Sequence, residues 1–112
     1  MKPPVLNRKL TLETPERVAD GAGGYVTTWV ALGEHWAEIR PGTGRDRALE
    51  VMTVARVPLR ITLRAAPEGA PSRPRPEQRF REGTRIFRIL AVTEADAGGR
   101  YLTCFAQEEV SR

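Results

Sequence analysis

The side chains of this chain that could support nucleophilic catalysis are few: one cysteine, Cys104, one histidine, His35, and the serines Ser72 and Ser111. A hydrolytic triad needs a nucleophile, a base and a group that orients the base. Ser72 stands among prolines and Ser111 at the tail, where neither has the rigid support a nucleophile requires. Cys104 and His35 both fall in segments that read as strands, so a buried reduced thiol is the simpler reading of Cys104. One histidine and one cysteine cannot furnish a structural zinc site. The acids Glu13, Glu16, Glu34, Glu38, Glu50, Glu94, Asp96, Glu108 and Glu109 are dispersed among basic residues, a pattern suited to surface solubility and ion pairs between subunits and not to paired carboxylate chemistry. The expectation is a protein without catalysis, metal or cofactor.

The net charge is +4, and sixteen of the eighteen basic residues are arginines. Arginine suits phosphate and carboxylate pairing. Here it accompanies abundant Ala, Gly and Pro, as GC-rich codons would produce, so the excess argues only weakly for a nucleic-acid surface. The glycines at 21, 23 and 24 lack the spacing of a phosphate-binding loop, no lysine follows them, and the next segment reads as a strand, so a hairpin turn is expected there.

The elements that must carry these residues are strands. In residues 56–64, Val57, Leu59, Ile61 and Leu63 alternate with Arg56, Pro58, Arg60, Thr62 and Arg64, the period of a half-buried strand. Pro58 places that end at a sheet edge or a strand start. Weaker copies appear at 9–13, with Leu10 and Leu12 on one face, at 25–30 and at 35–40, the last two separated by a corner at 32–34. Residues 85–92 are nearly continuous in apolar side chains, as in a central strand covered on both faces, and 100–107 pairs with them across a turn at 96–99. Trp29 and Trp36 offer large apolar areas, so the core is expected to hold Leu10, Leu12, Trp29, Trp36, Leu59, Ile61, Leu63, Phe87 and Ile89.

Two connections exceed a tight turn. Residues 41–55 hold Pro41, Gly42, Thr43, Gly44, Arg45, Asp46, Arg47, Leu49 and Met52, and could form a short helix or an extended arm whose apolar residues need a cover. Residues 65–79 are rich in proline and arginine and read as an extended, mobile, basic loop. The sum is one all-β domain over residues 1–112, a five- to six-stranded barrel or sandwich with two long loops, one of them able to carry a short helix. No run of residues is long and apolar enough to span a membrane, and 1–10 lacks the apolar stretch of a signal peptide, so synthesis should end in the cytoplasm.

Taken in order, Arg8-Lys9-Leu10-Thr11-Leu12, Gly23-Gly24-Tyr25-Val26-Thr27-Thr28-Trp29, Trp36-Ala37-Glu38-Ile39, Gly44-Arg45, Arg60-Ile61-Thr62-Leu63-Arg64 and residues 85–92 resemble the phage head-tail joining family, also called head closure or stopper proteins. The likeness covers residues 8–107 and is weakest through 65–79. It implies a virion subunit at the head-tail interface of a phage, prophage or gene-transfer particle. Copies would form a ring, a hexamer or alternatively a dodecamer, between portal or adaptor and the tail terminator or tail tube. It further implies that the loop at 41–55 closes the channel on packaged double-stranded DNA; Arg45 and Arg47 on that loop are the candidates for touching the duplex in passing, with pairing to acidic residues of another subunit as the alternative. A channel that lets DNA slide cannot be crowded with cations, since each neutralised phosphate adds affinity. The competing reading is a free-standing small-barrel nucleic-acid-binding protein, which would need aromatic residues along one exposed face.

Overall fold

The computed structural model of the chain describes residues 2–42 and 57–109. Six strands run β1 (Arg8–Ala19), β2 (Tyr25–Pro41), β3 (Val57–Arg64), β4 (Arg79–Glu82), β5 (Arg85–Glu94) and β6 (Tyr101–Glu108), with no helix among the described residues. All pairings are antiparallel, and the order β1-β2-β3-β6-β5-β4 returns to β1, closing a barrel. Closure removes the free edges that a sheet of this size would otherwise expose.

The barrel is filled by its alternating inward side chains. Leu10 and Leu12 of β1, Ala37 of β2, Leu59, Ile61 and Leu63 of β3, Phe80 of β4, Phe87 and Ile89 of β5, and Leu102, Cys104 and Ala106 of β6 are all buried. Burial pushes the Cys104 thiol up to about 12, which keeps it protonated and poorly nucleophilic at neutral pH.

Several expectations need correction. Residues 25–41 are one strand, not two around a corner: a bulge leaves Leu32 unpaired, Leu12 facing Gly33 and Glu13 facing Ala31. On the barrel side of the bulge, His35 pairs with Leu10 and Ala37 with Arg8, while Trp36 pairs with Lys9 on the outer surface. Trp36 is accordingly 56% exposed and Trp29 only half-buried, so neither belongs to the core. Residues 85–92 are covered on one face only; a second bulge between Ile89 and Ala91 leaves Leu90 and Ala91 exposed. Pro58 does stand at a strand start, as expected, as the second residue of β3, and its carbonyl accepts from Gly42 N at 3.0 Å.

The loop after β3 is also not the extended chain expected. It ends at residue 78, because Arg79 begins β4, which pairs with β1 on one side and, across the turn at Gly83 and Thr84, with β5 on the other. The remaining residues are folded by successive turns, with Ala70 N bonded to Pro67 O, Arg73 N to Ala70 O and Gln78 N to Arg75 O. Ile89 N donates to Gln78 O, Arg73 Nη1 donates to Ala66 O, and Pro74 is fully buried.

Candidate functional site

Strand pairing divides the molecule into two poles. At one pole lie the starts of β1, β3 and β5 and the ends of β2, β4 and β6. Arg8, Glu82, Arg85 and Glu108 converge at this pole on the inward side of the strands. Arg8 holds Glu82 through Nε at 2.7 Å and Nη2 at 2.6 Å. Arg85 holds Glu108 through Nε at 2.8 Å and Nη2 at 2.9 Å, and its Nη1 lies 3.7 Å from Glu82 Oε1. These are forked, charge-assisted pairs. The Arg85 guanidinium also lies 5.0 Å from the centre of the Phe87 ring, so the quartet caps the barrel's filling. The hydrogen bond from Arg8 holds the Glu82 carboxyl below the ordinary range, and that from Arg85 does the same for Glu108.

At the opposite pole the barrel is capped by the turns at 65–78. His35 points inward there, half-buried, with its ring edge-on to Phe80 at 6.3 Å. Burial pushes the His35 pKa down, and a hydrogen bond with the Ser72 backbone offsets part of that. His35 and Cys104 both face inward, Cys104 fully buried and His35 half-buried.

From this pole β1 and β2 continue beyond the barrel. β4 pairs with β1 only from Thr11 to Glu13, and β3 pairs with β2 only from Ala37 to Pro41. Residues 14–19 and 25–31 therefore form a two-stranded ribbon, about 20 Å long at the usual rise per residue. It ends in a turn where Asp20 accepts from Ala22 N at 2.8 Å and Gly24 N at 3.0 Å. The molecule measures 53 × 33 × 24 Å, and its radius of gyration of 14.9 Å exceeds the roughly 13 Å expected for a compact chain of this length.

The ribbon is fixed to the barrel at its root by a buried carboxylate. Glu13 is 5% exposed and accepts from Arg79 Nε at 2.7 Å and Arg81 Nε at 2.9 Å, both on β4. Burial pushes the Glu13 pKa up, but the two arginine hydrogen bonds outweigh it and hold the group below its ordinary value. Arg79 lies between this carboxylate and the face of Trp29, 4.0 Å from the ring centre. Trp29, expected in the core, instead supports an ion pair on the outer surface. The alternation of Arg79, Phe80 and Arg81 was the available sequence signal for this cluster.

Of the expected gate residues, Pro41 closes β2 and is exposed, and Gly42 anchors the return to Pro58. Thr43, Gly44, Arg45, Asp46, Arg47, Leu49 and Met52 lie outside the described residues. Among the described residues no cluster of three His, Cys, Asp or Glu could hold a metal ion, and no helix is long and apolar enough to cross a membrane.

The described residues thus form a small closed barrel, capped at both ends and extended by a two-stranded ribbon. The family model of the phage head completion protein matches residues 1–109, and the chain belongs to that family. It is similar, at 62% identity and a TM-score of 0.79, to a chain in the virion of a native gene transfer agent particle; the match covers 98% of this chain and 100% of that one. A protein of Shigella flexneri 2a solved in solution shares the fold at a TM-score of 0.72 and 18% identity, over the full length of both chains. No curated protein sequence matches the chain.

Proposed function

We propose that this protein is a connector subunit at the head-tail interface of a phage-like particle, of the gene-transfer-agent kind. Copies form a ring between the portal or adaptor and the tail terminator or tail tube, and residues 41–55 close the DNA channel after packaging. The observation that supports this most directly is an excess of chain. β2 and β3 are antiparallel neighbours that a short turn could join, yet residues 42–56 separate Pro41 from Val57 in the sequence. Long insertions of this kind are functional far more often than structural.

The filled barrel supports the ring as well. Core side chains occupy its interior and the Arg8, Glu82, Arg85 and Glu108 quartet caps one end, so DNA cannot pass through a subunit and must pass between subunits. Six copies follow from matching the tail, with twelve as the alternative from matching the portal. Arg45 and Arg47 are the residues proposed to meet the duplex in transit.

The test is to replace residues 43–55 with a short glycine-rich turn and purify particles. Subunits that still fold and join heads to tails, in particles that have lost their DNA, are the expected result. Particles that remain full would refute the gate. Electron microscopy of the same particles counts the copies.

A further inference from the structure

We propose that the valine face of the β1-β2 ribbon docks on the outer wall formed by β5 and β6 of a neighbouring copy. This rests on the ring reading and specifies its contact. Alternation places Thr14, Glu16, Val18, Val26, Thr28 and Val30 on one face of the ribbon. Val18, Val26 and Val30 are 40%, 50% and 39% exposed, and Glu16 is that face's one charge. Arg17 is on the other face, stacked at 4.5 Å over Tyr25. The docking face is thus apolar and acidic.

The opposite wall has complementary chemistry. The outward side chains of β5 and β6 include Arg88 and no carboxylate, and Arg60 and Arg64 flank this wall on β3. Leu90, at the β5 bulge, is 42% exposed beside Ala91, which pairs with Phe105. Arg64 and Arg88 are exposed, and neither has an ion-pair partner among the described residues.

Position selects a second copy as the occupant. In the order β1-β2-β3-β6-β5-β4, β1 stands across the barrel from β6 and β2 across from β5. The ribbon therefore leaves from the side opposite the basic wall and is held there by Glu13, Arg79 and Trp29, so it cannot fold back onto its own wall. Two different, mutually complementary patches on opposite sides of one subunit are what a head-to-tail ring requires. A face drawn from strands of six and seven residues is smaller than a standard interface of about 800 Å² per partner, so this contact holds within an assembled ring and not between free subunits.

The experiment uses assembled particles. Leu90→Cys is combined with Val26→Cys, and separately with Val18→Cys, and the particles are mildly oxidised. A ladder of covalent multimers of this chain in at least one pair, absent from each single variant and collapsed by reductant, is expected. Monomers only, or a crosslink to a different protein, in particles whose ring is visible by electron microscopy, would overturn the ribbon contact while leaving the ring intact; absence of any ring would overturn both. Should the cysteine variants not assemble, charge reversal decides: Glu16→Arg and Arg88→Glu should each lower particle yield at least tenfold, and together restore it. Single reversals without effect, or a pair without rescue, would refute the contact.

Discussion

A residue's place in this barrel is decided by strand parity more than by its hydrophobicity. Trp36 is the clearest case: its size marks it for a core, yet Lys9 faces it on the outer surface while the imidazole of His35 takes the inward position. Leu10, Leu12, Leu59, Ile61 and Leu63 were legible because apolar and polar residues alternate around them, and Phe87 and Ile89 because they are large apolar side chains in an apolar run. Trp29 was not, because the extra residue at Leu32 shifts its phase relative to the barrel, and Trp36 was not, because its size outweighed the outward parity set by His35 and Ala37 beside it. Phe80 was missed for another reason, since its four-residue strand is too short for a periodic signal. Substitution should rank these side chains by environment: Phe80→Ala should cost about 3–5 kcal/mol, whereas Trp36→Ala should cost about 1 kcal/mol or less. Chemical denaturation of the two variants measures both, and an equal loss would contradict the parity assignment.

Among the elements, the bulge in β2 is the joint between barrel and ribbon. Gly33 adopts φ +134°, a conformation L side chains rarely enter, while a Cβ built there would meet nothing within 4 Å. The glycine is required by its backbone and not by crowding. Gly33→Ala should therefore destabilise by about 1–3 kcal/mol, with the spectroscopic signature of the folded barrel retained; stability at the wild-type level would show that the strand relaxes freely. The hairpin turn at 20–24 and the turn at 96–99 could be read from their glycines and aspartates. The single strand of residues 25–41 could not, because a bulge looks in sequence like a break. Nor could the order of residues 65–78, whose prolines suggest an extended chain but whose turns depend on burial of Pro74 and on hydrogen bonds to Ile89 and Ala66.

For the whole molecule, the charged groups that hold the poles and the ribbon share one dependence on pH. Glu13, Glu82 and Glu108 all have carboxyl groups held below their ordinary value of 4.5, and His35 is held below 6.5. In each case the unfolded chain takes up its proton at a higher pH than the folded one, so acidification favours unfolding. The loss begins as pH falls below about 6.5, where unfolded His35 protonates first, and steepens below about 4.5 as the carboxylates of the unfolded chain follow. It is complete only once pH has passed through the folded values and the arginine pairs at Glu13, Glu82 and Glu108 are broken. Thermal melts of the purified subunit should accordingly show little change above pH 7, a shallow fall to pH 5 and a steep fall below it. The double variant Glu82→Gln and Glu108→Gln should lower stability at pH 7 and flatten the steep part of that curve, because two of its titrating pairs are gone. A wild-type curve that is flat down to pH 3.5, or a double variant with the slope of the wild type, would mean that the capping quartet contributes nothing to the folded barrel.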